Sequence, residues 1–226
     1  MRLKRWQPLL NKIKMTNSNI IKTGTTCIGL IFKDGVLLAA DRRVTSYKID
    51  SEKFDKVFSL SSHIVSTVSG GASDAQLFMR IIQSELKLIE LKNERKPYVS
   101  EAAMILNSIQ YNTIRTQGSI VGLILGGYDP KKGYSLYNLA VDGTIVPNEG
   151  YVTTGSGSIF VQGVLDNDYK ANLSEKEALE LIEKCFKTSF KNDNASGGGF
   201  VAKIITKDGV REASRKIIKT EFVKEV

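Results

Sequence analysis

Gly24-Thr25-Thr26-Cys27-Ile28-Gly29-Leu30-Ile31-Phe32-Lys33-Asp34-Gly35-Val36-Leu37-Leu38-Ala39-Ala40-Asp41-Arg42-Arg43 is the stretch on which the reading of this sequence turns. A small residue and two threonines stand where a basic, poorly patterned leader gives way to an apolar strand. Strands are predicted at 26–33 and 36–41, with Asp34-Gly35 between them as the type I′ turn pair. The second strand ends in Asp41-Arg42-Arg43. The threonine at this junction becomes chemically special only if the chain is cut in front of it.

Working outward, a second strand pair is predicted at Lys56–Leu60 and His63–Gly71, joined through Ser61-Ser62. Residues 73–92 read as a helix with Leu77, Ile81, Leu88 and Leu91 on its apolar side and Asp74 in the first turn. After Pro97, Ser100 is expected to cap a second helix through Arg115, with Ala103, Leu106, Ile109 and Ile114 facing inward. Strands return at 119–127, 133–141 and 144–146, the last after an Asp142-Gly143 turn. Gly155-Ser156-Gly157-Ser158 leads into a short helix through Leu165. Ser174-Glu175-Lys176-Glu177 is a capping box that opens a helix to about Phe190. Phe200–Thr206 and the residues from Val210 form a last hairpin across Asp208-Gly209. Helices come in pairs between groups of strands, which predicts layered antiparallel sheets rather than a doubly wound α/β fold. With 226 residues and no linker or repeat, the body reads as one domain.

The net charge of +8 suggests a nucleic-acid binder until its distribution is read. Arg2, Lys4, Arg5, Lys12, Lys14 and Lys22 stand in residues 1–24 with no acid, which leaves +2 for residues 25–226. A phosphate-binding face needs its cations in the folded part, so no nucleic-acid partner is expected. No apolar run approaches a membrane span. The leader has no apolar core of a secretory signal, and Trp6, Leu9, Leu10, Ile13 and Met15 give it a weakly amphipathic character. Cys27 and Cys185 are far apart and outside any CxxC or Cys/His cluster, so they read as small buried residues in a reducing compartment. No metal and no organic cofactor is expected.

Most hydrolytic devices are excluded by residue count. A Ser–His–Asp or Cys–His arrangement needs an imidazole, and the chain has one histidine, His63, which falls in a predicted strand and reads as structural. GxSxG, HExxH and GxxxxGK[ST] are absent. One route needs no histidine: a threonine at a free amino terminus uses its own α-amino group as base, with an ordinary pKa of about 8. It requires a lysine to keep the local potential positive, a carboxylate to orient that lysine, and backbone N–H groups for the oxyanion.

The Gly24-Thr25-Thr26 junction, the Asp34-Gly35-Val36 hairpin and Ala39-Ala40-Asp41-Arg42-Arg43-Val44-Thr45 resemble the start of catalytic β-subunits of the 20S proteasome, most of all the archaeal type. The resemblance continues through Ser69-Gly70, Asp74-Ala75-Gln76, Gly126-Gly127-Tyr128-Asp129, Thr154–Ser158, Gly163-Val164-Leu165 and Asp193–Gly198. It implies an α+β fold, a four-layer α/β/β/α sandwich of the amino-terminal nucleophile hydrolases. It implies a propeptide over residues 1–24, removed by autocatalytic cleavage between Gly24 and Thr25, and a catalytic domain over 25–226. Thr25 is then the nucleophile and Asp41 the orienting carboxylate. Lys56 is the catalytic lysine, with Lys53 as the alternative because the spacing from Thr25 is slightly short. Gly70 supplies the oxyanion N–H, while Ser156, Asp193 and Ser196 surround the amine and hydroxyl. Arg43 supports the site from behind, and Val44, Val68 and Ala72 line an apolar specificity pocket without arginine, which implies cleavage after hydrophobic residues.

The same resemblance implies a cytoplasmic threonine endopeptidase in seven-membered rings, two β-rings between two α-rings. Its partners are proteasome α-subunits, other β-subunits, an ATPase regulatory ring reached through the α-ring, and unfolded protein substrates. The alternative within the family is an unprocessed structural member of the β-ring. A proteasome α-subunit would lack the Gly–Thr junction, and the bacterial two-ring peptidase is a shorter chain.

Overall fold

In the computed structural model, residues 24–45 and 48–218 are described. The propeptide expected over residues 1–24 lies outside them except for Gly24. The chain order is β1 (Cys27–Phe32), β2 (Gly35–Asp41), β3 (Val44–Thr45), β4 (Ile49–Ser51), β5 (Val57–Ser59) and β6 (Ile64–Gly70). Two helices follow, α1 (Ala72–Asn93) and α2 (Val99–Gln117). Next come β7 (Val121–Asp129), β8 (Gly133–Leu139), β9 (Ile145–Asn148) and β10 (Tyr151–Thr154). Helices α3 (Ser158–Asp168) and α4 (Glu175–Asn192) lead to β11 (Phe200–Thr206) and β12 (Gly209–Lys216).

Two five-stranded antiparallel sheets form, in the orders β10-β1-β2-β11-β12 and β5-β6-β7-β8-β9. Val36, Leu38, Ala40, Val65, Ile124, Leu136, Val201 and Ile205 fill the space between them. On the outer face of the second sheet, Ile64, Leu123 and Leu125 meet Phe78, Ile82 and Leu86 of α1 and Leu106 of α2. On the outer face of the first, Ile28, Leu30, Leu37 and Ile204 meet Val161 of α3 and Ile182 and Phe186 of α4. This is the expected α/β/β/α sandwich. Strands β1, β2, β7 and β11 are buried on both faces, which is why they read as continuous apolar runs rather than alternating ones.

Several local expectations are corrected. The first hairpin turns at Lys33-Asp34, because Phe32 pairs with Gly35 across the ladder. Neither Lys33, Asp34 nor Gly35 has the positive φ of a type I′ turn. The last hairpin shifts in the same way, with Thr206 paired to Gly209. Helix α2 begins before Ser100: its first turn is held by Glu101 Oε2, which accepts Tyr98 N–H at 2.7 Å, and by the Asp129 carboxylate on Val99 N–H. The buried stripe of α1 is Ala75, Phe78, Met79, Ile81, Ile82 and Leu86, whereas Leu91 is 65% exposed. Sequence offers two competing apolar rows on that helix, and the wider aromatic-bearing row faces the sheet. Strand β10 and the β3–β4 pair were not expected. After β9 and the Asn148–Gly150 turn the chain leaves the second sheet, and β10 joins the edge of the first beside β1, delivering Gly155-Ser156 to the start of that strand.

Candidate active site

The first strand pair ends with Thr25 and Thr26 on one arm and Asp41 on the other, and the site is built at this end. Cys27 pairs with both Ala40 and Thr154, so the ends of β2 and β10 flank Thr25. Lys56 enters from the segment before β5, in the opposite sheet. Its Nζ donates to Asp41 Oδ1 at 2.8 Å, to Thr25 Oγ1 at 2.9 Å and to the Gly24 carbonyl at 3.2 Å. An ammonium has three N–H bonds, and all three are used.

Asp41 is fully buried and is surrounded by donors. Oδ1 also accepts Thr26 N–H, and Oδ2 accepts the N–H groups of Arg43 and Gly197, each at 3.1 Å. Burial holds its carboxyl above the ordinary value, and the Lys56 ammonium with the Gly197 and Thr26 amides pulls it only part of the way back down. Removing either partner of such a buried pair strands a charge, at a cost of about 3–5 kcal/mol.

On the other side of Thr25, its backbone nitrogen donates to Ser156 Oγ at 3.2 Å, and Ser156 donates to Asp193 Oδ2 at 2.7 Å. Ser196 Oγ donates to the same oxygen at 2.7 Å, and Ala195 N–H holds Oδ1 at 3.1 Å. Thr26 Oγ1 closes the set, 2.8 Å from Ser196 Oγ and 2.5 Å from Ser189 Oγ. Thr25, Asp41, Lys56, Ser156, Asp193 and Ser196 therefore all converge. Lys53 does not join them: its backbone carbonyl accepts from Arg42 and its backbone N–H bonds Ser51.

Gly70, at the end of β6, has φ +105°, and a Cβ there would lie 2.1 Å from the Ile120 carbonyl oxygen, so only glycine fits. Together with Gly24, Thr25, Lys56, Val44, Val68 and Ala72 it lines a small pocket, joined by Phe54 and Ala75. Arg43 lines it as well, which corrects the expectation of an arginine-free wall. Its guanidinium is already engaged, with Glu52 at 2.9 Å and the Asn194 carbonyl at 3.2 Å. Gly24 itself is packed so tightly that a Cβ would fall 1.8 Å from that of Ala195. The Thr25 hydroxyl lies 2.6 Å from the Gly24 carbonyl oxygen, across the bond expected to be cut.

Sequence reading missed Thr26, Ser189, Phe54 and Ala75. Ser189 carried a signal: it continues the buried face Leu181, Ile182, Cys185, Phe186 of α4, where a hydroxyl needs a partner. His63 lies just before β6, at the end opposite Gly70, with Nε2 2.8 Å from the Pro97 carbonyl. The seven residues of β6 separate it from the site by about 20 Å. Cys27 and Cys185 are both free and fully buried, and burial pushes each thiol up to about 12.

A four-layer sandwich of two antiparallel sheets between helix pairs is the fold of the amino-terminal nucleophile hydrolases, and here a threonine, a lysine and an aspartate gather at the start of its first strand. The chain belongs to the proteasome subunit family, whose profile, described as Proteasome subunit, matches residues 21–205. It is 39% identical over 189 residues to a proteasome subunit beta of Methanocorpusculum labreanum, covering 83% of this chain and 88% of that one. It is 36% identical over 205 residues to a proteasome subunit beta of Methanoregula boonei, covering 90% and 95%. A proteasome subunit beta 2 of Aeropyrum pernix is 36% identical over 197 residues, 87% of this chain and 88% of the relative. Among the described residues no helix is long and apolar enough to cross a membrane.

Proposed function

We propose that this chain is a catalytic threonine endopeptidase subunit, activated by cleavage of its own Gly24–Thr25 bond. The observation that carries the reading is the position of Lys56 Nζ, 2.8 Å from Asp41 Oδ1 and 2.9 Å from Thr25 Oγ1. An ammonium held there stabilises negative charge on the threonine oxygen as it attacks, in a site from which water is largely excluded. In the first stage Thr25 Oγ1 attacks the Gly24 carbonyl carbon. The O–C bond forms, the C–N bond breaks and the nitrogen takes up a proton. Water then hydrolyses the resulting ester, releasing residues 1–24 as a carboxylate and leaving Thr25 with a free amine.

In the second stage that amine is the base that removes the proton from Oγ1. Ser156, Asp193 and Ser196 hold it in place through their hydroxyl chain, and Gly70 N–H receives the oxyanion of the substrate carbonyl. Val44, Val68, Ala72, Phe54 and Ala75 take an apolar side chain before the scissile bond, because the cations beside them are already paired. By family, the working particle contains proteasome α-subunits and other β-type subunits, with unfolded proteins as substrates. No cofactor is needed for these steps.

Intact-mass measurement and N-terminal sequencing after co-expression with an α-type partner test the reading. A start at Thr25 is expected, and Thr25→Ala should abolish both the cut and peptidase activity. A persistent Met1 start in an assembled, inactive particle overturns it in favour of a structural ring member. Peptides ending in leucine, tyrosine, arginine or glutamate test the pocket, with faster hydrolysis after leucine or tyrosine expected.

A further inference from the structure

The two residues that carry the central ion pair each have a neighbour in a second one. Asp41 binds Lys56, and the next residue on one side, Arg42, binds the preceding residue on the other, Asp55, with Nε to Oδ1 at 2.9 Å. Arg42 is buried, with its side chain 8% exposed, although it plays no part in the chemistry above. Its backbone N–H donates to the Gly197 and Gly199 carbonyls, its carbonyl accepts Phe54 N–H at 3.0 Å, and its Nη2 reaches the Lys53 carbonyl at 3.4 Å. From β12, Arg215 Nη1 reaches the same Asp55 oxygen at 3.0 Å, while its other nitrogens hold Glu212.

These contacts matter because of where Lys56 sits. Residues 53–56 have no regular secondary structure, and β5, which follows, is a three-residue edge strand. Such a segment has few ladder bonds to fix its backbone, yet Lys56 Nζ must be held within a few tenths of an ångström of three partners. Lys56 has one backbone bond that bears on this, its carbonyl to Val68 N–H at 3.1 Å. Phe54 N–H on the Arg42 carbonyl adds a second backbone tie, and the arginine side chains add to both: Arg42 ties the segment to the end of β2 and Arg215 ties it to the far edge of the same sheet.

We propose that Arg42, Asp55 and Arg215 form a clamp that positions Lys56 against Thr25. They are positioning residues that touch neither substrate nor reacting atom. The proposal rests on the catalytic reading above. The clamp fixes the segment that bears Lys56 to the sheet that bears Asp41, so that the lysine arrives already placed.

The test uses assembled particles of the full chain with its α-type partner and a fluorogenic peptide with a hydrophobic residue before the cut. Asp55→Asn keeps the shape of the side chain and removes its charge; about a tenfold fall in kcat is expected at nearly unchanged KM, with the melting temperature lowered by a few degrees because the buried Arg42 guanidinium loses its counter-charge. Asp55→Glu should recover activity to within about threefold of the unaltered particle, since it restores a carboxylate to both arginines. Equal kcat for Asp55→Asn and the unaltered particle overturns the clamp, as does a loss that Asp55→Glu shares in full. If Asp55→Asn fails to assemble, Arg215→Gln carries the test, because that side chain is a third exposed and Arg42 remains in place. About a threefold fall in kcat is then expected, and an unchanged kcat overturns the proposal. Thr25→Ala, run in parallel, separates the two readings: residual activity there sinks the nucleophile assignment, whereas its loss with an unaffected Asp55→Asn sinks only the clamp.

Discussion

Two carboxylates flank Thr25, and they are built differently. Asp41 is fully buried and accepts a lysine and three backbone amides. Asp193, at the end of α4, is 9% exposed and accepts two serine hydroxyls and one amide. The first is organised around a cation and the second around hydroxyls. On the catalytic reading proposed above, an ammonium beside the Thr25 oxygen would need a fixed counter-charge, whereas the amine released by cleavage would need reorientable hydroxyl partners. On that reading charge stabilisation falls to one side of the threonine and proton traffic to the other.

The strongest attempt to break this contrast is Lys56→Ala. It should cut peptide hydrolysis by about a thousandfold, and it should lower stability by about 3–5 kcal/mol through the stranded Asp41. Denaturant melts and kcat from the same preparation check both. Next, Asp193→Asn should cost about 10–100-fold in kcat with only a small loss of stability, because no buried cation is orphaned. If Asp41→Asn and Asp193→Asn were equally destabilising, the contrast would be wrong. Ser189→Ala probes the outermost hydroxyl. It should remove about 1 kcal/mol of stability by leaving Thr26 with one side-chain partner, and kcat should stay within about threefold.

A third carboxylate sharpens the comparison through pH. Asp55 lies below its ordinary value of 3.8: burial raises it, but hydrogen bonds and charge from Arg215 and Arg42 outweigh that. The folded chain releases this proton at lower pH than the unfolded chain does, so the unfolded chain binds more protons in the window between. Stability therefore rises with pH there, is complete above about 3.8, and is lost as pH falls through the folded value. Acid unfolding of Asp55→Asn should show a shallower acid limb, an effect kept small by the exposure of this group. The smallest expected signal is from the thiols. Cys27 and Cys185 should be silent to a disulfide reagent until the chain unfolds.

Much of this was legible in the sequence, for physical reasons that differ by region. Strands buried on both faces announce themselves as apolar runs, so β1, β2, β7 and β11 could be found within a few residues. The Ser174 capping box fixed the start of α4, where Ser174 and Glu177 do hold one another. Turn positions were missed by one residue, because an Asp-Gly pair marks a turn without fixing which residues lie at its tip. β10 was missed because four residues between two glycine turns carry too little pattern, and its partner is over a hundred positions away. In the site, residue types that chemistry demands could be named, whereas Thr26 and Phe54 could not, and Ser189 was signalled only as a hydroxyl on the buried face of α4. Their roles come from packing across α4 and the two sheets, which no local spacing encodes.

The fit of Gly24 against Ala195 bears on how a shortened gene would behave. A coding region trimmed to begin at Thr25 places its initiator methionine where Gly24 stands, and a side chain there meets the Ala195 methyl at under 2 Å. Such a product would enter the fold cleanly only after an aminopeptidase had removed the methionine. Fused behind a cleavable tag that leaves Thr25 bare, the same chain would skip that jam. Gly24 thus acts as a gauge on which residue can stand directly before Thr25, independent of what precedes it.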